Sequence, residues 1–368
     1  NDIKTVKGNE AKTILQYAEE SGLSTGVVST ARLTHATPAA CYSHTHKRGW
    51  ESDKDVKTGS EEAHSAGFSD IARQLIEFKY GDGIEVAFGG GRSKFTPQTK
   101  QDPEYPERYG ERLDGRDLTD EWVKRRAGAE YVWDKKGFDA IDPNKTKSVL
   151  GLFEPSHMRY ESERSADKGG EPSLSEMAVK AVDILSKNKK GYFLMVEGGR
   201  IDHSHHDGSA SRALRDAIAL SDAVRAVSEK VDLDETLIIV TADHSHTFVM
   251  SGYPYRGNNI LGLVRSGNSA GQPSDKYSLA ADGKPYTTLG YMNGPGAVRD
   301  AERPSLLLAD VLAPTYRQQS LIPLSSETHG GEDVAIYATG VNAHFIRGSM
   351  EENWIFYVMA DALGLARK

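Results

Sequence analysis

Two stretches of this sequence place carboxylates and imidazoles where a buried strand gives way to other structure. The first is Val196-Glu197-Gly198-Gly199-Arg200-Ile201-Asp202-His203-Ser204-His205-His206-Asp207. It follows the apolar run Tyr192-Phe193-Leu194-Met195 and precedes Ala213, Ala217, Leu220, Val224 and Val227, whose spacing predicts a helix face. Asp202 and His206 stand four apart, so a helical turn points both from one face, as two ligands of one metal must point. His203 and His205 then point elsewhere and read as solvated side chains. By itself this stretch reads equally well as a polar loop. The second stretch is the β-branched run Thr236-Leu237-Ile238-Ile239-Val240-Thr241, which predicts a strand covered on both faces and ends in Ala242-Asp243-His244-Ser245-His246. With an acid and a histidine delivered at two strand ends, the metal reading prevails: carboxylate oxygen and imidazole nitrogen together suit zinc or a similar borderline ion. In open α/β sheets the crevice outside the carboxyl ends of the strands is where ligands bind.

The elements that must position these residues fit one large α/β core. The chain has 368 residues, 38% of them hydrophobic, enough for such a core with an insertion. Its net charge of -8 argues against a general nucleic-acid or anionic-membrane surface, which would need clustered Lys and Arg. Cys41 is the only cysteine, so there is no intrachain disulfide, zinc ribbon or dithiol redox motif. No apolar run is long enough to span a membrane. The chain opens Asn1-Asp2, which reads as a processed or partial start with no signal peptide within it.

Ala11, Ile14, Leu15 and Ala18 follow helix spacing, with Asn9 as N-cap and Gly22 as the stop, and Thr25–Thr30 reads as a strand. In Thr34-His35-Ala36-Thr37-Pro38-Ala39-Ala40, Pro38 should hold Thr37 extended and out of a helix. Arg48 and Trp50 follow, the arginine able to clamp an oxyanion with paired donors and the tryptophan suited to packing. Phe68, Ile71, Ala72 and Leu75 predict a helix; Ile84, Val86 and Phe88 predict a strand ending in the turn Gly89-Gly90-Gly91. Residues 96–116 are polar and proline-rich and read as a surface excursion. Val149–Phe153 is another strand, and Ser173-Leu174-Ser175-Glu176 a capping box opening a helix. Val334–Ala338 and a helix over 354–365 close the chain. Helices and strands in alternation predict a doubly wound, mostly parallel sheet with helices on both faces. The core takes residues 1–250 and 325–368; residues 251–324, without periodicity, read as an inserted subdomain.

Asp202, His206 and His329 can complete one metal site with an open position, and Asp243 with His244 can begin a second. Glu197 and Thr37 offer only oxygens, as magnesium prefers. Two zinc-like ions about 4 Å apart, with an arginine beside them, suit in-line displacement at phosphorus.

The motifs Thr34-His35-Ala36-Thr37-Pro38-Ala39-Ala40, Val196–Asp202, Thr241-Ala242-Asp243-His244-Ser245-His246 and Glu327-Thr328-His329-Gly330-Gly331-Glu332-Asp333 resemble those of alkaline phosphatases, in the same order and over nearly the whole chain. The resemblance implies that Asp202, His206 and His329 hold a first zinc, Asp243 and His244 a second, and Thr37 with Glu197 a magnesium. Arg48 looks like the phosphate clamp, and His35 occupies a position near the magnesium that is Asp or His in the family. His246 reads equally as an outer partner that orients a metal ligand and as a hydrogen-bonded structural histidine. The resemblance further implies hydrolysis of phosphate monoesters to an alcohol and inorganic phosphate, a homodimer, a periplasmic or extracellular location, and a crown formed by residues 251–324.

The family's aspartate-bearing first strand and its Asp-Ser-Ala nucleophile segment have no counterpart here. His64-Ser65-Ala66 and Arg164-Ser165-Ala166 follow no buried strand and read as surface residues. The nucleophile is therefore expected in an amino-terminal segment outside these residues. The runner-up is a fragment that binds metal and phosphate without turnover. A phosphomutase or sulfatase is a weaker third reading, since Cys41 sits in no formylglycine setting.

Overall fold

A computed structural model describes residues 8–125, 127–298 and 302–365. The chain forms two compact units. Unit 1 comprises Asn1–Gly199, Ala219–Ile239 and Ala338–Lys368, and unit 2 comprises Arg200–Ile218 and Val240–Tyr337.

Unit 1 is built on five strands, β1 (Ser24–Arg32), β2 (Val86–Gly90), β3 (Ala129–Val132), β4 (Ser148–Leu152) and β5 (Tyr192–Glu197). They lie in the order β3-β4-β2-β1-β5, and every pairing is parallel. Every residue of β2 and β4 is buried, as parallel strands covered on both faces require. Because successive side chains alternate, Val27, Ala87 and Leu150 join one core while Val28, Val86 and Val149 join another. The first core is completed by α1 (Ile14–Glu20), the short α2 (Ala36–Ala39), α3 (Ile71–Ile76) and α4 (Leu118–Arg125) through Leu15, Ala39, Leu75 and Trp122. The second is completed by α5 (Leu174–Leu185) through Met177, Ala181 and Leu185. This is the α/β sandwich predicted from the alternation of elements, and the Ser173/Glu176 capping box is formed as read.

Three local readings change. The cap of α1 is Thr13, not Asn9, because Thr13 and Gln16 satisfy each other's backbone N–H groups. Thr37 and Pro38 lie inside α2 rather than in extended chain. Pro38 is tolerated there because the N–H groups of a helix's first turn have no intrahelical partner to lose. Residues 96–116 are not a loose excursion. Arg92 lies 2.7 Å from Asp102 and 3.0 Å from Glu104, while Arg112 lies 2.9 Å from Asp70, and both guanidinia are buried. Paired, hydrogen-bonded charges can be buried, and these tie the segment into unit 1.

Beyond β5 the five-stranded sheet has no further partner among the described residues, and all six β5 residues stay partly exposed. A separate two-stranded sheet joins β6 (Leu237–Val240) to β12 (Tyr337–Gly340). Gly340, at φ +92°, is required there, since a Cβ would sit 1.9 Å from the Thr236 carbonyl oxygen.

Unit 2 begins with α6 (Arg200–His206) and the first part of α7 (Ala210–Ser228). Its strands are β7 (Ser245–His246), β8 (Phe248–Met250), β9 (Leu289–Gly294), β10 (Ser320–Pro323) and β11 (His329–Gly330). One sheet has the order β10-β9-β8. A second, two-stranded ladder sets His329 opposite His246. Residues 251–324 belong to this unit together with the segments on either side of them.

Candidate metal centre

The helical turn anticipated after β5 is α6, which carries Asp202 and His206 on one face: His206 Nε2 lies 3.3 Å from Asp202 Oδ1. The β7–β11 ladder and the turn before β7 supply three further imidazoles. Nε2 of His246 is 3.0 Å from the same Asp202 oxygen, that of His329 3.6 Å, and that of His244 3.9 Å. His206 and His329 approach each other at 3.2 Å through Nε2, and the rings of His244 and His329 stack at 3.5 Å. Four imidazoles from α6, β7, β11 and the turn before β7 thus converge on one carboxylate oxygen within unit 2.

What surrounds the rings decides which nitrogen is available. A carbonyl oxygen can only accept, so His206 Nδ1 donates to the Glu327 carbonyl at 2.6 Å and His244 Nδ1 donates to the Ser245 carbonyl at 3.1 Å. His246 Nδ1 donates to the Glu327 carboxylate at 2.7 Å. When neutral, these three rings therefore present an Nε2 lone pair to Asp202, the tautomer a metal needs. Glu327 is itself buried, and its other oxygen accepts from the backbone and hydroxyl of Thr247 at 2.6 and 2.8 Å.

The contacts to Asp202 Oδ1 are close but misaligned, and this buried atom has no hydrogen-bond donor. A buried carboxylate oxygen without a donor, encircled by imidazole lone pairs, is the environment a divalent cation satisfies and neutral side chains do not. Burial alone would raise the Asp202 carboxyl, but its contacts with His206 and His246 hold it well below the usual carboxylate range. His246 shows the converse. Burial works against its charged form, yet Asp202 and Glu327 at its two nitrogens push it up to about 9. The residues present therefore fit a zinc-like ion: Asp202, His206 and His329 form one candidate ligand triad, and Asp202, His244 and His246 another. Asp243 lies at the edge of this cluster, its side chain 74% exposed and 3.5 Å from His244 Nε2.

The remaining candidate residues belong to unit 1. Glu197 ends β5 opposite Ser29 of β1, whose hydroxyl donates to the Glu197 carboxylate. The helix α2 that carries Thr37 packs against both strands, and Thr37 itself is exposed. Arg48 is exposed, its Nη2 3.3 Å from His35 Nε2. The His35 ring meets the edge of His157, which is bonded to Arg32. Trp50 packs against Phe68 as expected, and Ser65 and Ser165 are exposed as expected.

Sequence reasoning missed Glu327 as the hub that holds two histidines, since nothing in its spacing marks it. It also misread His205, which is not solvated: its ring stacks on His246 at 4.6 Å and its Nδ1 is 2.9 Å from the Tyr291 hydroxyl.

Fold and cluster together describe an α/β protein equipped to hold divalent metal ions between acids and histidines. The chain belongs to the alkaline phosphatase family, whose model matches residues 3–365. It is 45% identical over 365 residues to the tissue-nonspecific alkaline phosphatase isozyme of Felis catus, covering 97% of this chain and 66% of that protein. The chain thus spans just under two thirds of that relative's length. Among solved structures, the Thermus thermophilus alkaline phosphatase matches at 29% identity with a TM-score of 0.53, covering 68% of this chain and 45% of that one. A mutant alkaline phosphatase of the Antarctic bacterium TAB5, solved with magnesium bound, matches in fold at 20% identity and a TM-score of 0.58, covering 95% of this chain and 75% of that one.

Proposed function

We propose that this chain is the metal-binding part of a phosphomonoesterase that releases an alcohol and inorganic phosphate through a phosphoserine intermediate. The observation that carries the reading is the donorless Asp202 oxygen encircled by the Nε2 atoms of His206, His244, His246 and His329. Asp202, His206 and His329 hold a first zinc, Asp243 and His244 a second, and Thr37 and Glu197 a magnesium. Bound metal supplies Lewis acidity toward phosphoryl oxygen and lowers the pKa of a coordinated water. The protein residues do the positioning. Arg48 binds phosphate oxygens with paired donors, Ser29 fixes the Glu197 carboxylate, and Glu327 fixes the tautomers of His206 and His246.

The serine nucleophile is supplied by a segment outside these residues, as the family resemblance implies. The edge of β5 supports this: among the described residues no strand pairs beyond it, and its six residues, five of them apolar, stay partly exposed. Residues 251–324 serve as the crown, and the assembled enzyme is an exported homodimer, by the family resemblance. The alternative, for this chain alone, is metal and phosphate binding without turnover.

Intact mass, zinc content and phosphate release from an aryl phosphate, measured together, test the reading. Zinc near two equivalents, with turnover appearing only when a serine-bearing segment accompanies the chain, is the expected result. Absence of zinc from protein purified without chelator would sink it.

A further inference from the structure

Tyr291 lies on the middle strand β9 and is 3% exposed, yet its hydroxyl is bonded to His205 Nδ1 at 2.9 Å. A buried phenol needs such a partner, and so the bond fixes the imidazole plane as well as the phenol. His205 is wedged on its other sides too, with Phe248 of β8 at 5.1 Å and the flat face of His246 at 4.6 Å and 25°. His246, gripped at Nδ1 by Glu327, presents Nε2 to Asp202 at 3.0 Å. The plane of that ring is set by rotation about its Cβ–Cγ bond, a torsion with only broad intrinsic preferences. The stacked His205 removes this freedom.

We infer that Tyr291 and His205 are positioning residues of the metal centre: the Tyr291 hydroxyl locks His205, and the stacked His205 ring sets the plane in which His246 faces Asp202. The inference rests on the metal-binding reading and extends it to residues that touch no metal. Nothing in it requires His205 to titrate or to coordinate. It assigns the three-stranded sheet of unit 2 a part in metal retention, through β8 and β9.

Tyr291→Phe keeps the ring and removes the lock, and His205→Ala removes the stack. In the zinc-loaded protein, Tyr291→Phe should release zinc to a chelator about tenfold faster than the parent, the scale of outer-shell effects on metal sites. Its cobalt-substituted form should show a shifted ligand-field spectrum. His205→Ala should exceed both effects; if it does not fold, the Tyr291→Phe result decides. A merely structural hydroxyl would lower the melting temperature while leaving zinc release and the cobalt spectrum as in the parent, and that outcome overturns the inference alone. A parent protein that retains no zinc overturns it together with the functional reading.

Discussion

Glu327 grips His246 and His206 by different atoms: its carboxylate accepts from His246 Nδ1 at 2.7 Å and its backbone carbonyl accepts from His206 Nδ1 at 2.6 Å. One residue thereby sets the tautomers of two rings that converge on Asp202. Its side chain is fully enclosed, so this carboxylate cannot be replaced by water without rearrangement.

Glu327→Gln should weaken zinc binding by about ten- to a hundredfold, since outer-shell partners of metal ligands contribute on that scale. The amide has one acceptor oxygen where Thr247 and His246 together call on two. Equilibrium competition with a chromophoric chelator measures the change. Affinity equal to the parent's would show that Glu327 does not govern the site.

Removing metal should lower the melting temperature, because a ligand bound only by the folded state stabilises it, by about 4 kcal/mol at a thousand times its dissociation constant. Asp202→Asn should abolish that dependence, as the amide cannot supply the charge around which the imidazoles gather. Calorimetry of both proteins with and without zinc tests this, and zinc-dependent melting retained by the variant would count against it.

The acidic cluster of unit 1 predicts a pH dependence. Glu171 accepts two contacts from the Arg159 backbone N–H, at 2.9 and 3.1 Å. Burial is the main cause that pushes its carboxyl up to about 8 from 4.5, and burial with Glu104 nearby pushes Glu154 up to about 7. A folded chain that retains protons the unfolded chain has lost becomes less stable as pH rises. Stability of the metal-free protein should therefore fall from about pH 4.5 to about pH 8. Glu171→Gln should remove on the order of 5 kcal/mol from that fall across this pH range. Denaturant midpoints at several pH values measure it, and parallel profiles for parent and variant would refute the assignment.

Asp70 both caps α3, accepting from Arg73 N at 2.9 Å, and pairs with the buried Arg112 at the same distance. Asp70→Ala should cost about 3–5 kcal/mol, because it leaves a buried guanidinium short of its partner. A loss below about 1 kcal/mol, the scale of a cap alone, would mean that Asp114 compensates for the missing carboxylate.

What the sequence determined by itself about this protein was local. Strand and helix runs show in hydrophobic period, the Ser173/Glu176 box in spacing of three, and the pairing of Asp202 with His206 in spacing of four, because each depends on atoms within one turn or one strand. Where the sequence reading failed locally, at Thr13 and at Thr37-Pro38, two signals competed within a few residues. The tertiary structure decided the rest. Glu327 meets His246 across 81 residues and His206 across 121, and Tyr291 meets His205 across 86. Arg112 finds Asp70 across 42. No periodicity encodes such contacts, because they exist only after the chain reverses to form the β7–β11 ladder and the sheet over which His205 lies. Folding gathers these imidazoles and carboxylates because each buried polar atom must find a partner, and at Asp202 Oδ1 the protein itself supplies none.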